Sequence, residues 1–244
     1  MRVIRCKDYD DMSRKCANIV SAQVILKPDA LLGLATGTTP IGCYRQLIRW
    51  YEKGDVDFSE VTTYNLDEYL GLGPDDSQSY RYFMDHTFFN HINIDKRNTH
   101  VPDGAAADPE AACAAYDKLM KDAGRLDLQL LGIGRNGHVG FNEPSDSFSK
   151  GTHVVDLAPS TIEANSRLFR SVDEVPRQAL SMGIYNIMSA KTILIAASGL
   201  DKANAVRDMI EGPVTPRCTA SILQLHADCF VVADEEALSA CKSV

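Results

Sequence analysis

The chain lacks any run of 18 consecutive apolar residues, so no segment reads as a membrane-spanning helix. It lacks a Cys-x-x-Cys pair, and none of its six histidines joins the seven cysteines at zinc-ligand spacing. No metal is therefore expected. The cysteines are odd in number and scattered, which argues against a disulfide framework and for reduced thiols in the cytoplasm. The opening residues, Met1-Arg2-Val3-Ile4-Arg5-Cys6-Lys7-Asp8, have no apolar region of the signal-peptide kind. Basic residues are in deficit, 25 against 33 acidic, for a net charge of −8, so nucleic acid is not an expected partner. An acidic total leaves an anionic small molecule possible, because only the charge inside a cleft decides that. Internal repeats, low-complexity stretches and Pro/Gly/Ser-rich linkers are also missing, which points to one domain over residues 1–244.

At 45% hydrophobic, the 244 residues can form an ordinary core. Continuous apolar runs at 31–35, 61–66, 126–133, 192–197 and 230–233 read as strands buried on both faces. Helical spacing appears at 9–27, 40–53, 80–92, 109–123, 202–210 and 235–241. Alternation of the two predicts an α/β fold with a mostly parallel sheet between helical layers. Residues 145–176 carry few strand signals and one helical piece at 160–169. Their position makes them a candidate lid. In such sheets ligands bind beyond the carboxyl ends of the strands, so the loops after each strand hold the candidate site.

Three loops carry chemistry. Ala35-Thr36-Gly37-Thr38-Thr39-Pro40 leads into a helix. Its backbone N–H groups, hydroxyls and helix dipole suit an anion at Gly37, Thr38 and Thr39. A threonine-capped turn is the plainer alternative. Asn65-Leu66-Asp67-Glu68-Tyr69 places two acids at a strand end, where alternation sends their side chains to opposite sides. Asp67 is the one expected to face the cleft. The third loop, Gly132-Ile133-Gly134-Arg135-Asn136-Gly137-His138-Val139-Gly140-Phe141-Asn142-Glu143-Pro144, joins close-approach glycines to a histidine and a carboxylate. A paired carboxylate fixes the tautomer of an imidazole and raises its basicity. The same loop matches the Gly-x-Gly-x-x-Gly dinucleotide pattern, but Gly140 and Pro144 oppose the helix that pattern requires. Two further cations, Arg167 and Lys202, lie on the candidate lid and at a helix start; they read as anion ligands or as ordinary surface charges.

These blocks, with Ala164-Asn165-Ser166-Arg167 and Cys218-Thr219-Ala220-Ser221-Ile222-Leu223-Gln224-Leu225-His226, resemble the glucosamine-6-phosphate deaminase (isomerase) family in order and over nearly the whole chain. The resemblance implies a Rossmann-like fold and conversion of glucosamine 6-phosphate and water to fructose 6-phosphate and ammonia, in amino-sugar catabolism, without metal or organic cofactor. It implies Asp67 as the base acting between C2 and C1, His138 as the ring-opening residue, and Glu143 as its partner. Asn136 takes a further ring-opening position, with Gly37, Thr38, Thr39, Arg167 and Lys202 around the phosphate. Many members have Asp where this chain has Asn136, which cannot accept a proton. Gly151 and Val155 stand where allosterically regulated members carry Arg and Lys, and no long tail follows Ala233-Asp234-Glu235-Glu236. Activation by N-acetylglucosamine 6-phosphate is therefore not expected, and a monomer or small homo-oligomer is expected over a regulated hexamer. The alternatives are a 6-phosphogluconolactonase-like hydrolase and a non-catalytic sugar-phosphate sensor.

Overall fold

The computed structural model describes residues 1–166 and 169–243. The strands are β1 (Arg2–Cys6), β2 (Leu31–Leu34), β3 (Thr62–Asn65), β4 (Asp67–Tyr69), β5 (Thr99–His100), β6 (Leu128–Leu131), β7 (His153–Asp156), β8 (Gln178–Ser181), β9 (Thr192–Ala197) and β10 (Cys229–Asp234). The helices are α1 (Tyr9–Leu26), α2 (Ile41–Glu52), α3 (Tyr80–Thr87), α4 (Pro109–Ala123), α5 (Pro159–Ser166), α6 (Ile184–Met188) and α7 (Ala203–Glu211). Seven strands form one sheet in the order β1-β10-β9-β6-β2-β3-β5, parallel throughout. All four residues of β6 and five in succession in β9 are buried, so helices cover both faces.

Strand order reverses at β2 and β6. From β2 the chain moves outward to β3 and β5; it then returns to β6 on the other side and proceeds to β9 and β10. A crevice opens at such a switch point, beyond the carboxyl ends of the two strands. The loops that follow β2 and β6 are the Gly37 and His138 loops.

Helix ends follow local chemistry. Asp8 caps α1 by accepting from Asp11 N–H, and Asp108 caps α4 at Ala111 N–H with Pro109 at the first position. The expected helix over 80–92 stops at Thr87, where Phe88 leaves helical geometry (φ −141°) and a 3-10 turn follows over Phe89–His91. The helix expected over 235–241 is absent; the segment forms successive turns. Asp234 accepts from Ala237 N–H, Ser198 Oγ and Gly199 N–H, which ties its start to the sheet, and seven residues are too few to nucleate a helix unaided.

A second, antiparallel sheet, β4-β8-β7, was not expected. β3 runs into it through Leu66, whose carbonyl accepts from Met182 N–H while its N–H bonds Leu34 O. The candidate lid segment therefore contributes a strand, β7, as well as α5. Six of the seven cysteines are buried and the seventh is half-buried. No described helix is long and apolar enough to cross a membrane.

Candidate active site

The crevice is a cavity of about 1110 Å³. Its wall includes Gly37, Thr38 and Thr39 after β2, Asp67 at the start of β4, Asn136 and His138 after β6, and Lys202 before α7. Residues far apart in sequence thus meet in one space. Glu143 does not reach that space. It stands behind His138 and lines a smaller cavity of about 270 Å³. Arg167 lies outside the described residues.

The Gly37 loop turns through a left-handed glycine (φ +82°), which a β-carbon would strain. Tyr9, the first residue of α1, braces it: its hydroxyl donates to Thr38 O at 3.0 Å and accepts from Gly42 N–H at 2.8 Å. Lys202 is the residue from which α7 springs. A cation there opposes the helix dipole, and an anion between the two relieves the conflict. Asp201 beside it pairs with Arg135 at 2.8 Å, linking this turn to the His138 loop.

Asp67 opens β4, so the sheet sets its direction. Its carboxyl is buried, and burial first, then the charge of Glu68, pushes it up to about 8. Glu68 faces away, accepting from Tyr69, Tyr80 and Arg81 N–H groups at 2.8–2.9 Å; it caps the start of α3. Burial raises Glu68 to about 7 despite those three bonds. The two acids do diverge as strand alternation requires, but the one turned away is buried in a cap.

The His138 loop is clamped to the same strands. Phe141 N–H donates to Ser181 Oγ at 3.0 Å, and Asn142 Nδ2 donates to Met182 O at 2.9 Å. Ser181 is the register partner of Asp67 in the β4–β8 pairing. A β-carbon placed on Gly140 would sit 3.6 Å from Asp67 Oδ2, so the two loops meet there. After Gly137 the chain forms turns and a Val139–Asn142 bridge, not the helix of a dinucleotide site.

His138 Nδ1 lies 3.3 Å from Glu143 Oε2, within ion-pair range but off the line of a hydrogen bond. Asn136 Nδ2 donates to the same oxygen at 2.7 Å, and Asn136 Oδ1 accepts from His138 N–H at 3.2 Å. Asn136 therefore links the Glu143 carboxylate to the backbone of His138. Burial works to raise Glu143, but the neighbouring imidazole, the Thr161 hydroxyl and Asn136 outweigh it and hold the carboxyl at about 2. The arrangement keeps an anion beside Nδ1 of the imidazole across the physiological range.

Tyr9, Arg45, Tyr80 and Arg135 also line the cavity and were not anticipated. Arg45 sits in the first turns of the helix after the anion loop, which was signal enough to find it. Tyr9 acts across 29 residues and had no local signal.

Residues 8–231 match the family described as glucosamine-6-phosphate isomerases/6-phosphogluconolactonase. A glucosamine-6-phosphate deaminase of Lachnoclostridium phytofermentans is 59% identical over 95% of this chain and 98% of its own. One from Clostridioides difficile is 53% identical over 98% and 96%. Among solved structures, a monomeric glucosamine-6-phosphate deaminase superposes with a TM-score of 0.97 at 49% identity, covering 98% of this chain and 100% of its own. A 6-phosphogluconolactonase from Leishmania guyanensis superposes at 0.75 over 99% of both chains with 20% identity, a likeness of fold alone.

Proposed function

Because the chain belongs to the glucosamine-6-phosphate isomerase/6-phosphogluconolactonase family, we propose that it is a glucosamine-6-phosphate deaminase acting in amino-sugar catabolism. The observation that carries this reading is the shared cavity, in which a buried carboxylate, Asp67, faces the same space as His138, the Gly37 loop and Lys202. A lactonase has no hydrogen to move between carbons and so needs no enolising base.

The chemistry divides among these groups. The phosphate rests on Gly37, Thr38, Thr39 and Lys202, to which the family resemblance adds Arg167, and anchors the sugar remote from the reacting carbons. His138 exchanges protons between the ring oxygen and the C1 hydroxyl, opening the pyranose to the aldehyde. Glu143 and Asn136 hold its orientation. Asp67 then takes the C2 proton, giving an enolamine, and returns it to C1. The resulting iminium at C2 adds water and expels ammonia, leaving fructose 6-phosphate. C–N cleavage thus follows isomerisation, so hydrolase and isomerase each name half of the reaction. Burial and the charge of Glu68 hold the proton on Asp67 to about 8. The C2 ammonium of an arriving amino sugar favours the carboxylate and readies the base.

Within the candidate lid, α5 is the part that closes over the sugar, while β7 stays paired to β8. The chain works as a cytoplasmic monomer, with activity needing no partner. A coupled assay on purified protein tests the reading: glucosamine 6-phosphate is expected to yield fructose 6-phosphate and ammonia in equal amounts. Silence there with hydrolysis of 6-phosphogluconolactone would transfer the chain to the lactonases.

A further inference from the structure

Glu143 has two oxygens and each is committed to a different element. Oε2 faces His138 and accepts from Asn136. Oε1 accepts from Thr161 Oγ1 at 2.5 Å, and Ala158 N–H approaches it at 3.4 Å. Thr161 lies in α5 and is buried. Further along the same helix, Asn165 Nδ2 donates to Tyr69 Oη at 2.9 Å, and Tyr69 closes the three-residue strand that Asp67 opens. One short helix therefore carries a polar tie toward the imidazole and another toward the strand of the carboxylate base. The Thr161 bond is charge-assisted and shielded from water, the setting in which one hydroxyl has most influence on a carboxylate.

We propose that Thr161 is a positioning residue that fixes the rotation of Glu143, so that His138 is oriented for proton exchange only while α5 is docked. This rests on the deaminase reading above. Without the hydroxyl, the carboxylate turns about its own side-chain bonds and presents Oε2 to the imidazole only part of the time. Docking of the helix and competence of the ring-opening group then become one event.

The test uses the enzyme over residues 1–244 and the near-isosteric change Thr161→Val, which exchanges the hydroxyl for a methyl group. We expect kcat to fall about 10- to 100-fold, as for one charge-assisted bond, with KM altered less than about threefold. The acidic limb of the kcat–pH profile should be displaced in Thr161→Val, and Thr161→Ser should restore both rate and profile. Because the effect runs through Glu143, adding Thr161→Val to Glu143→Gln should cost nothing further. Wild-type kcat and profile in Thr161→Val would overturn the proposal, as would a loss that adds in full to that of Glu143→Gln. If Thr161→Val fails to fold, Thr161→Ala is judged by the same criteria. A wild-type protein that releases no ammonia removes the deaminase reading and this inference with it. An active wild type beside an indifferent Thr161→Val removes the inference alone.

Discussion

Gly134 leaves its side-chain space to His138: a β-carbon there would lie 2.3 Å from Cε1 of the imidazole and 2.4 Å from Nε2. Gly134 is not among the glycines with positive φ, so alanine suits its backbone and only the ring stands in the way. Gly134→Ala is expected to displace the imidazole while the protein folds. A misplacement of about 1 Å costs about 10²-fold in rate. Steady-state kinetics beside a circular dichroism spectrum checks this; unchanged kcat would mean that ring position is not critical.

Asp67→Asn keeps shape and removes the proposed base. Turnover is expected to drop about 10²- to 10⁴-fold. Binding of a non-reacting sugar phosphate, measured by calorimetry, should stay within about threefold, since the phosphate contacts are elsewhere.

The same substitution has an opposite effect on stability. Unfolded, Asp67 ionises near its ordinary 3.8; folded, burial and Glu68 hold the proton to about 8. Between these values the native state binds a proton that the unfolded chain releases, so this group's contribution to stability is lost as pH rises from about 4 to about 8. Asparagine stays neutral and escapes that loss. Asp67→Asn is expected to melt higher than wild type at pH 8, by at least about 2–4 °C, with the gap closing toward pH 4. In activity, kcat/KM of the wild type should climb with pH through about 8 as the free base ionises.

Lys202→Ala should act on binding. The phosphate keeps its charge through the reaction, so its ligands hold ground state and transition state alike. KM is expected to rise about 10- to 100-fold with kcat within about threefold.

Substrate saturation is expected to be hyperbolic and unmoved by N-acetylglucosamine 6-phosphate. Gly151 stands where the family resemblance implies an arginine in regulated members, and a β-carbon there would lie 2.2 Å from Asp117 Oδ2, so any side chain requires that carboxylate to move. That carboxylate also holds Thr152 N–H and Asn186. A sigmoidal curve straightened by the effector would contradict this expectation.

How much of this was legible depends on how local each cause is. β2 and β6, and the glycine loops after them, were readable because a buried parallel strand and a close-approach loop are both written in adjacent residues. The Asp67 loop was readable for the same reason. The β4-β8-β7 sheet was not, because Asp67-Glu68-Tyr69 and Gln178-Ala179-Leu180-Ser181 are too short to show a period. Glu68 looked like a spare acid because the N–H groups it caps at Tyr80 and Arg81 come 12 and 13 residues later, after an intervening loop. The 235–241 segment misled in the other direction. Its apolar spacing is helical and Asp234 accepts from Ala237 N–H as a helix cap does, yet the chain goes no further than successive turns.

The pairing of β1 with β10 has a consequence for biogenesis. Arg2 sits opposite Phe230 and Cys6 opposite Asp234, in an edge position with no other neighbour in the sheet among the described residues. β1 thus leaves the ribosome well before its partner β10, and until then its unpaired backbone is open to pairing with other chains. A nascent chain stalled shortly before residue 229 would have its catalytic loops in hand and still lack the strand that seals the sheet.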